Sequence, residues 1–192
     1  MEGRLIRLRG YEKSDLDALM KWWHDEEVTQ FIAGGLFPAS TLEEARFIET
    51  VAAGKDTANK IFAIETLAEH NYIGTISLHN INWGCRHAEL GMVIGEKDYW
   101  GRGYGTDAVL VLLRLAFDKV GLHRVQLHVF DFNERAISCY EKCGFRREGT
   151  LRDYWFKNGK FRDTLLMSIL EGEYRNRRLD RTPPTPSSGR DR

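Results

Sequence analysis

Proline is scarce, with four residues in 192 and three of them between positions 183 and 186, so no proline interrupts helix or strand between Pro38 and Pro183. Cysteine is scarcer still. Cys85, Cys139 and Cys143 form an odd set with no CxxC pair and no clustered histidine, which supports neither a disulfide framework nor a zinc site and fits reduced thiols in a cytosol. No apolar run approaches the roughly 18 residues that a membrane span needs, and Met1-Glu2-Gly3-Arg4 lacks the charged-then-apolar order of a secretory leader. Net charge is also missing, because 28 Lys and Arg balance 28 Asp and Glu. No global positive field therefore exists to hold nucleic acid through its phosphates. The expectation is a cytoplasmic protein with no membrane, nucleic-acid or metal partner.

What is present suits an ordinary globule: 42% hydrophobic residues, 29% charged residues and 18 glycines, in a chain long enough to bury roughly 70% of its unfolded surface in one core. The charge is unevenly placed. Residues 175–192 hold six Arg against two Asp, a net of +4, which leaves residues 1–174 at −4. We expect one domain over residues 1–174 and a disordered Arg/Pro-rich tail over 175–192.

Periodicity supplies the element order. Residues 4–9 alternate as a short strand. Ser14-Asp15 then caps a helix carrying Leu16, Leu19, Met20 and Trp23, and a second helix follows from Thr41 or Leu42 to about Ala53. Residues 61–65, 72–79 and 87–95 read as three antiparallel strands, because the loops between them are too short for crossover helices. From Gly95 the pattern changes to a glycine-rich loop, a helix from Tyr104 to about Lys119, a strand over 124–130, a helix from Asn133 to Cys143, and strands near 145–152 and 164–170.

The most informative stretch is Asp98-Tyr99-Trp100-Gly101-Arg102-Gly103-Tyr104-Gly105-Thr106-Asp107-Ala108. Glycines let backbone amides approach an anion, and the unpaired amides of a helix start supply positive potential. The loop reads as a phosphate cradle. It has neither the Lys-Ser/Thr of a nucleotide-triphosphate loop nor the Gly-x-Gly-x-x-Gly of a dinucleotide fold.

At these residues the chain resembles the GNAT superfamily of acetyl-CoA-dependent N-acetyltransferases, in the branch of ribosomal-protein N-terminal and spermidine/spermine acetyltransferases. The family loop Gln/Arg-x-x-Gly-x-Gly/Ala is matched at Gly103 and Gly105, with Trp100 in place of the first polar residue. A second block, Asn133-Glu134-Arg135-Ala136-Ile137-Ser138-Cys139-Tyr140-Glu141-Lys142-Cys143-Gly144-Phe145, matches over a longer span, and the likeness extends over roughly residues 4–172. It implies an α/β fold, a mixed and strongly twisted sheet of six or seven strands flanked by about four helices, with acetyl-CoA as co-substrate and a homodimer as candidate assembly. The cofactor side it implies comprises Met92, Val93, Ile94, Arg102, Gly103, Gly105, Thr106, Asn133, Ala136 and Tyr140.

The implied chemistry is attack of a primary amine on a thioester within a ternary complex. An alkylamine resembles lysine, with a pKa near about 10.4, so it must lose a proton before attack. The leaving thiolate needs a proton donor, the role the resemblance gives Tyr140, and a backbone amide of the strand before the loop stabilises the oxyanion. That strand is expected to splay or bulge at Gly91. Glu89 is the candidate base and also borders the acceptor; His87, two residues earlier on the same face, competes with it, while His79, His123 and His128 read as structural or exposed. Asp25, Glu26 and Glu27, beside Trp22-Trp23-His24, are candidates for holding a cationic acceptor such as a polyamine; a protein N-terminal amine is the other acceptor considered. The rival reading from another class is an acyl-CoA-binding sensor that binds without turnover.

Overall fold

Alternation of Ile6 and Leu8 with Arg7 and Arg9 places the aliphatic pair inward in strand β1 (Ile6–Arg9). Three helices follow: α1 (Leu16–Trp23), the single turn α2 (Glu26–Thr29) and α3 (Thr41–Ala52). Strands β2 (Lys60–Thr66), β3 (Tyr72–Asn82) and β4 (His87–Ile94) then form the antiparallel meander. Helix α4 (Tyr104–Arg114) ends in a wider π turn over Leu115–Lys119 and crosses to β5 (Arg124–Phe130), which lies parallel to β4. Helix α5 (Glu134–Cys143), the long hairpin β6 (Arg146–Lys157) and β7 (Lys160–Leu170), and α6 (Glu171–Arg181) complete the chain. The structure, a computed structural model, describes residues 1–32 and 39–181. Its single sheet has the order β1-β2-β3-β4-β5-β7-β6.

The sheet separates two apolar layers. On one face Ile76, Leu78, Leu90, Val125, Leu127, Met167 and Ile169 pack against Ala108, Val109, Leu112 and Phe117 of the α4 segment and against Ile137 and Tyr140 of α5. On the other face a smaller cluster of Tyr11, Leu19, Trp22, Val28 and Ile48 joins α1, α2 and α3 to Ile61, Tyr72 and Val93. The Trp22 ring lies so close to Gly95 that a Cβ there would come within 2.0 Å of it, and the Trp22 indole donates to Glu96 at 3.0 Å. Burying one large ring against bare backbone fixes α1 at the end of β4.

Ion pairs tie the edges together. Arg9 donates two 2.8 Å bonds to buried Asp15 and reaches buried Glu65, joining β1, β2 and the start of α1. On the far side of the sheet Arg124 grips Glu148, which also accepts from Ser168 at 2.6 Å.

Two features differ from the sequence expectation. Six helices stand where about four were expected: α2 is one turn built on the acidic run, and α6 has too polar a sequence to show an apolar stripe. The segment 175–181, expected to be disordered, continues α6; Tyr174 is buried against Phe117 and donates to Asp118 at 3.0 Å, which anchors the helix to the core. The remainder of that tail, 182–192, lies outside the described residues, as do 33–38.

The Arg124 hydrogen bond, with help from Ser168, holds the Glu148 carboxyl down at about 2 from its ordinary 4.5. A carboxylate with a depressed folded value stabilises fully above the unfolded value and loses that contribution as pH falls from about 4.5 to about 2. Chemical denaturation at pH 5 and pH 2.5 should show that Glu148→Gln removes about 1 kcal/mol of the wild-type loss, a figure reduced for the partial exposure of the pair. Equal losses in the two proteins would show that solvent already screens it.

Candidate active site

The site begins where two central strands part. β4 and β5 are paired only at His87 with Arg124, Ala88 with Val125 and Glu89 with Gln126. Beyond Glu89, β4 stays paired to β3 as far as Ile94, and β5 stays paired to β7 as far as Phe130. The expected departure at Gly91 is therefore a splay from β5, with the β3–β4 register unbroken from Gly74 to His79. The wedge opens a cavity of about 1030 Å³.

One wall is built by β4 and the start of α4. Met92, Val93 and Ile94 line the cavity, and so do Gly101, Gly103, Gly105 and Thr106. Gly103 has φ +90°, a left-handed conformation that side chains disfavour, and it turns the chain into α4 without a side-chain cap. The first helical backbone bond runs from the Asp107 amide to the Gly103 carbonyl at 3.0 Å, which leaves the amides of residues 104–106 outside the helical ladder. The Asp107 carboxylate faces no ligand: it accepts from the amides of Arg4, Leu5 and Ile6 at 2.8, 2.8 and 3.2 Å. Trp100, at the place of the family's polar residue, donates to the Ile94 carbonyl at 2.7 Å and lies under the Arg135 guanidinium, 3.6 Å from its ring centroid. Arg102 is exposed and off the cavity lining, so only its glycine neighbours stand where the cradle was expected.

The facing wall is α5. Asn133 caps it by accepting from the Ala136 amide at 3.2 Å, and Asn133, Ala136 and Tyr140 all line the cavity. Tyr140 is only 5% exposed, and its hydroxyl makes no hydrogen bond among the described residues. Burial raises its pKa well above the ordinary phenol value, with the Cys139 and Cys143 thiols adding to the shift, so it stays protonated at neutral pH. The neighbouring Cys139 thiol is drawn down to about 7, chiefly by hydrogen bonding with Cys143 and further by Thr106, against the opposing effect of burial. Thr106 Oγ1 lies 3.4 Å from Cys139 Sγ, so this pair pins the two walls together.

The third side belongs to the face shared by β3, β4 and β5. His79 stands opposite Glu89 across β3 and β4, and His128 Nδ1 lies 3.0 Å from Glu89 Oε1. All three line the cavity; His87 does not. His79 is held below the ordinary imidazole value by burial, partly offset by Glu89, and its Nε2 lies 2.6 Å from Ser77 Oγ. Sequence reading had set His79 and His128 aside. For His128 the signal was the β5 alternation, in which Gln126, His128 and Phe130 share the face that Val125, Leu127 and Val129 avoid.

The acidic run does not join the cavity. Asp25 caps α2 by accepting from the Glu27 amide, and Lys97 sits 2.8 Å from both Asp25 and Glu27. Glu26 is exposed and off the lining. The structure thus places the run off the cavity lining, with one ammonium, Lys97, shared between two of its three carboxylates. The α2 backbone takes part instead through Lys157, whose ammonium donates to the Thr29 carbonyl at 2.6 Å and to the Ile32 carbonyl at 2.5 Å, drawing the β6–β7 hairpin up to Val28, Phe31 and Ile32 at the cavity. Among the described residues no group of three or more His, Cys, Asp or Glu is disposed to hold a metal ion.

Comparison with known proteins agrees with this geometry. Residues 5–146 match the family model described as an acetyltransferase (GNAT) domain. The chain is 30% identical over 172 residues to p20 of Bacillus licheniformis, named an uncharacterized N-acetyltransferase, covering 88% of this chain and 94% of that one. It is 36% identical over 122 residues to spermidine N(1)-acetyltransferase of Vibrio cholerae, covering 64% of this chain and 69% of the relative. The crystal structure of the Vibrio cholerae spermidine N-acetyltransferase in complex with CoA and spermine superposes with a TM-score of 0.80 at 29% identity, over 89% of this chain and 98% of that one. This chain belongs to the acetyltransferase (GNAT) family, and the reaction that goes with it is movement of acetyl groups from acetyl-CoA to amines.

Proposed function

We propose that the wedge carries out direct acetyl transfer to a primary amine in a ternary complex, with Tyr140 as proton donor and the Glu89–His128 pair as proton acceptor. The observation that carries this reading is that the two kinds of group line one cavity: a buried phenol kept protonated on α5, and a carboxylate–imidazole pair on the sheet face. When bound, acetyl-CoA supplies an acetyl group activated as a thioester. Met92, Val93 and Ile94 would flank it, with Gly103, Gly105 and Thr106 at the phosphate end and Asn133 and Ala136 on the opposite wall. The splay supports this fit, since it leaves β4 backbone without a β5 partner beside a turn whose first amides are unpaired.

Each residue then has a distinct task. In the tautomer where His128 donates from Nδ1 to Glu89, the Nε2 lone pair takes the proton from the incoming ammonium, directly or through one water, and Glu89 balances the imidazolium charge. A β4 backbone amide donates toward the carbonyl oxygen as negative charge develops there. The Tyr140 hydroxyl gives its proton to the departing sulfur. For the acceptor, the relatives offer spermidine as one model, and the resemblance to ribosomal-protein acetyltransferases offers an N-terminal amine as the other. The three cysteines, none of them in a disulfide, suit a cytosolic place of work.

Replacement of Tyr140 by Phe should lower kcat by about 100-fold while leaving the calorimetric Kd for acetyl-CoA within about threefold; unchanged turnover would remove Tyr140 as the acid. His128→Gln should lower kcat/KM by a similar factor at pH 7, with the deficit shrinking as pH passes the pKa of the free amine, because the acceptor then arrives deprotonated. A deficit constant with pH would rule out a base role. Gly103→Ala, which forces a side chain to φ +90°, should weaken acetyl-CoA binding by about tenfold through strain of 1–2 kcal/mol, as read by the same calorimetry.

A further inference from the structure

The lining of the cavity has a composition that the transfer chemistry does not require. Besides His79, Tyr99 and Tyr140, six rings line it: Phe31, Trp100, Phe130, Tyr154, Trp155 and His128. They form a nearly continuous series, with Trp100 against Phe31 at 6.4 Å between centroids, Phe130 against Trp155 at 6.5 Å, Trp155 against Tyr154 at 5.6 Å, and Tyr154 stacked on His128 at 6.0 Å and 18°. Phe132 bridges the gap, lying 5.9 Å from Phe31 and 5.1 Å from Phe130.

The charge of this lining is equally uneven. Among the described residues its carboxylates are Glu89 and Asp107, and Asp107 is committed to three backbone amides. One carboxylate, Glu89, is left for an ammonium. Arg4, Arg135 and Lys142 also line the cavity; they suit the phosphates of CoA and oppose a second or third ammonium. Asp25 and Glu27, which could have offset them, are off the lining and share the one ammonium of Lys97.

A third observation is independent of both. Thr164 is 1% exposed and lines the cavity, yet its hydroxyl has no partner among the described residues. It stands directly across β5 and β7 from Phe130. A buried hydroxyl without a partner costs free energy unless a ligand satisfies it.

From these three observations we infer that the acceptor is an arylalkylamine: one ammonium at Glu89 and His128, a flat ring among the aromatic side chains, and a polar ring substituent that pairs with Thr164. The rings supply flat apolar walls and cation–π attraction for a single positive charge. A polyamine gains little from them and meets repulsion from Arg135. The inference rests on the proposed transfer reaction and narrows its acceptor.

The test is a panel of tyramine, phenethylamine, spermidine and a peptide with a free alanine N-terminus, each assayed with acetyl-CoA and read by mass spectrometry, in wild type and in the near-isosteric Thr164→Val. The expected order in kcat/KM is tyramine, then phenethylamine about tenfold lower for want of one buried hydrogen bond, then spermidine and the peptide at least 100-fold below tyramine. Thr164→Val should reduce the tyramine preference, read as the ratio of kcat/KM for tyramine to that for phenethylamine, to near unity. Acetylation of spermidine or the peptide with inert aromatic amines overturns the inference and leaves the transfer reaction standing. An unaltered tyramine preference in Thr164→Val overturns the role of that hydroxyl, and with it the inference. Acetyl-CoA binding with no acetylation of any amine overturns the transfer reaction itself.

Discussion

Everything in this molecule that bears on chemistry depends on how briefly β4 and β5 pair. Three residue pairs, ending at Glu89 and Gln126, hold the two halves of the sheet together. A parallel pair needs a crossover, and here the α4 segment supplies it and packs on the α5 side of the sheet. Longer pairing would satisfy more backbone amides and close the wedge. The protein instead gives up those hydrogen bonds and recovers stability from strong pairing on the two outer sides, where β3 and β7 accompany the separated strands along their length.

That arrangement assigns different physics to the two faces of the opening. Toward α4 and α5 the site is made of backbone, a protonated phenol and thiols that pin the helices. Toward β3, β5 and β7 it is made of imidazole, one carboxylate and rings. The division follows from strand alternation: Leu90 and Met92 turn to the helical core, while Glu89, Gly91 and Val93 turn to the other face. A single strand thus offers adjacent residues to the two faces of the sheet.

The parts legible in the sequence were those whose signal is local. The glycine turn before α4, the Asn133 cap, and the meander of β2, β3 and β4 each declare themselves through residues that follow one another along the chain, and the structure has all of them. Contacts between distant segments were not legible. Nothing near Asp25 announces Lys97, and nothing near Asp107 announces the amides of residues 4–6, so the engagement of both carboxylates emerges only from the fold. The pairing of His128 was not legible for a related reason, since its partner Glu89 lies 39 positions away on the neighbouring strand. Helix α6 escaped notice because one anchor, Tyr174 on Phe117, holds an otherwise polar segment.

The Arg135 guanidinium over the Trp100 indole gives the protein a built-in optical reporter. Trp100 sits at the entrance to the phosphate turn, its indole N–H fixed to the Ile94 carbonyl, while Arg135 approaches from the first turn of α5. An anion that draws Arg135 away from the ring changes the electrostatic environment of that one fluorophore without moving it. Trp22 is locked in the core beneath α1, and Trp83 faces solvent far along the chain. Emission from Trp100 therefore carries information about occupancy of the cradle, beside that of Trp155, which lines the same cavity, and it does so before any bond is made or broken.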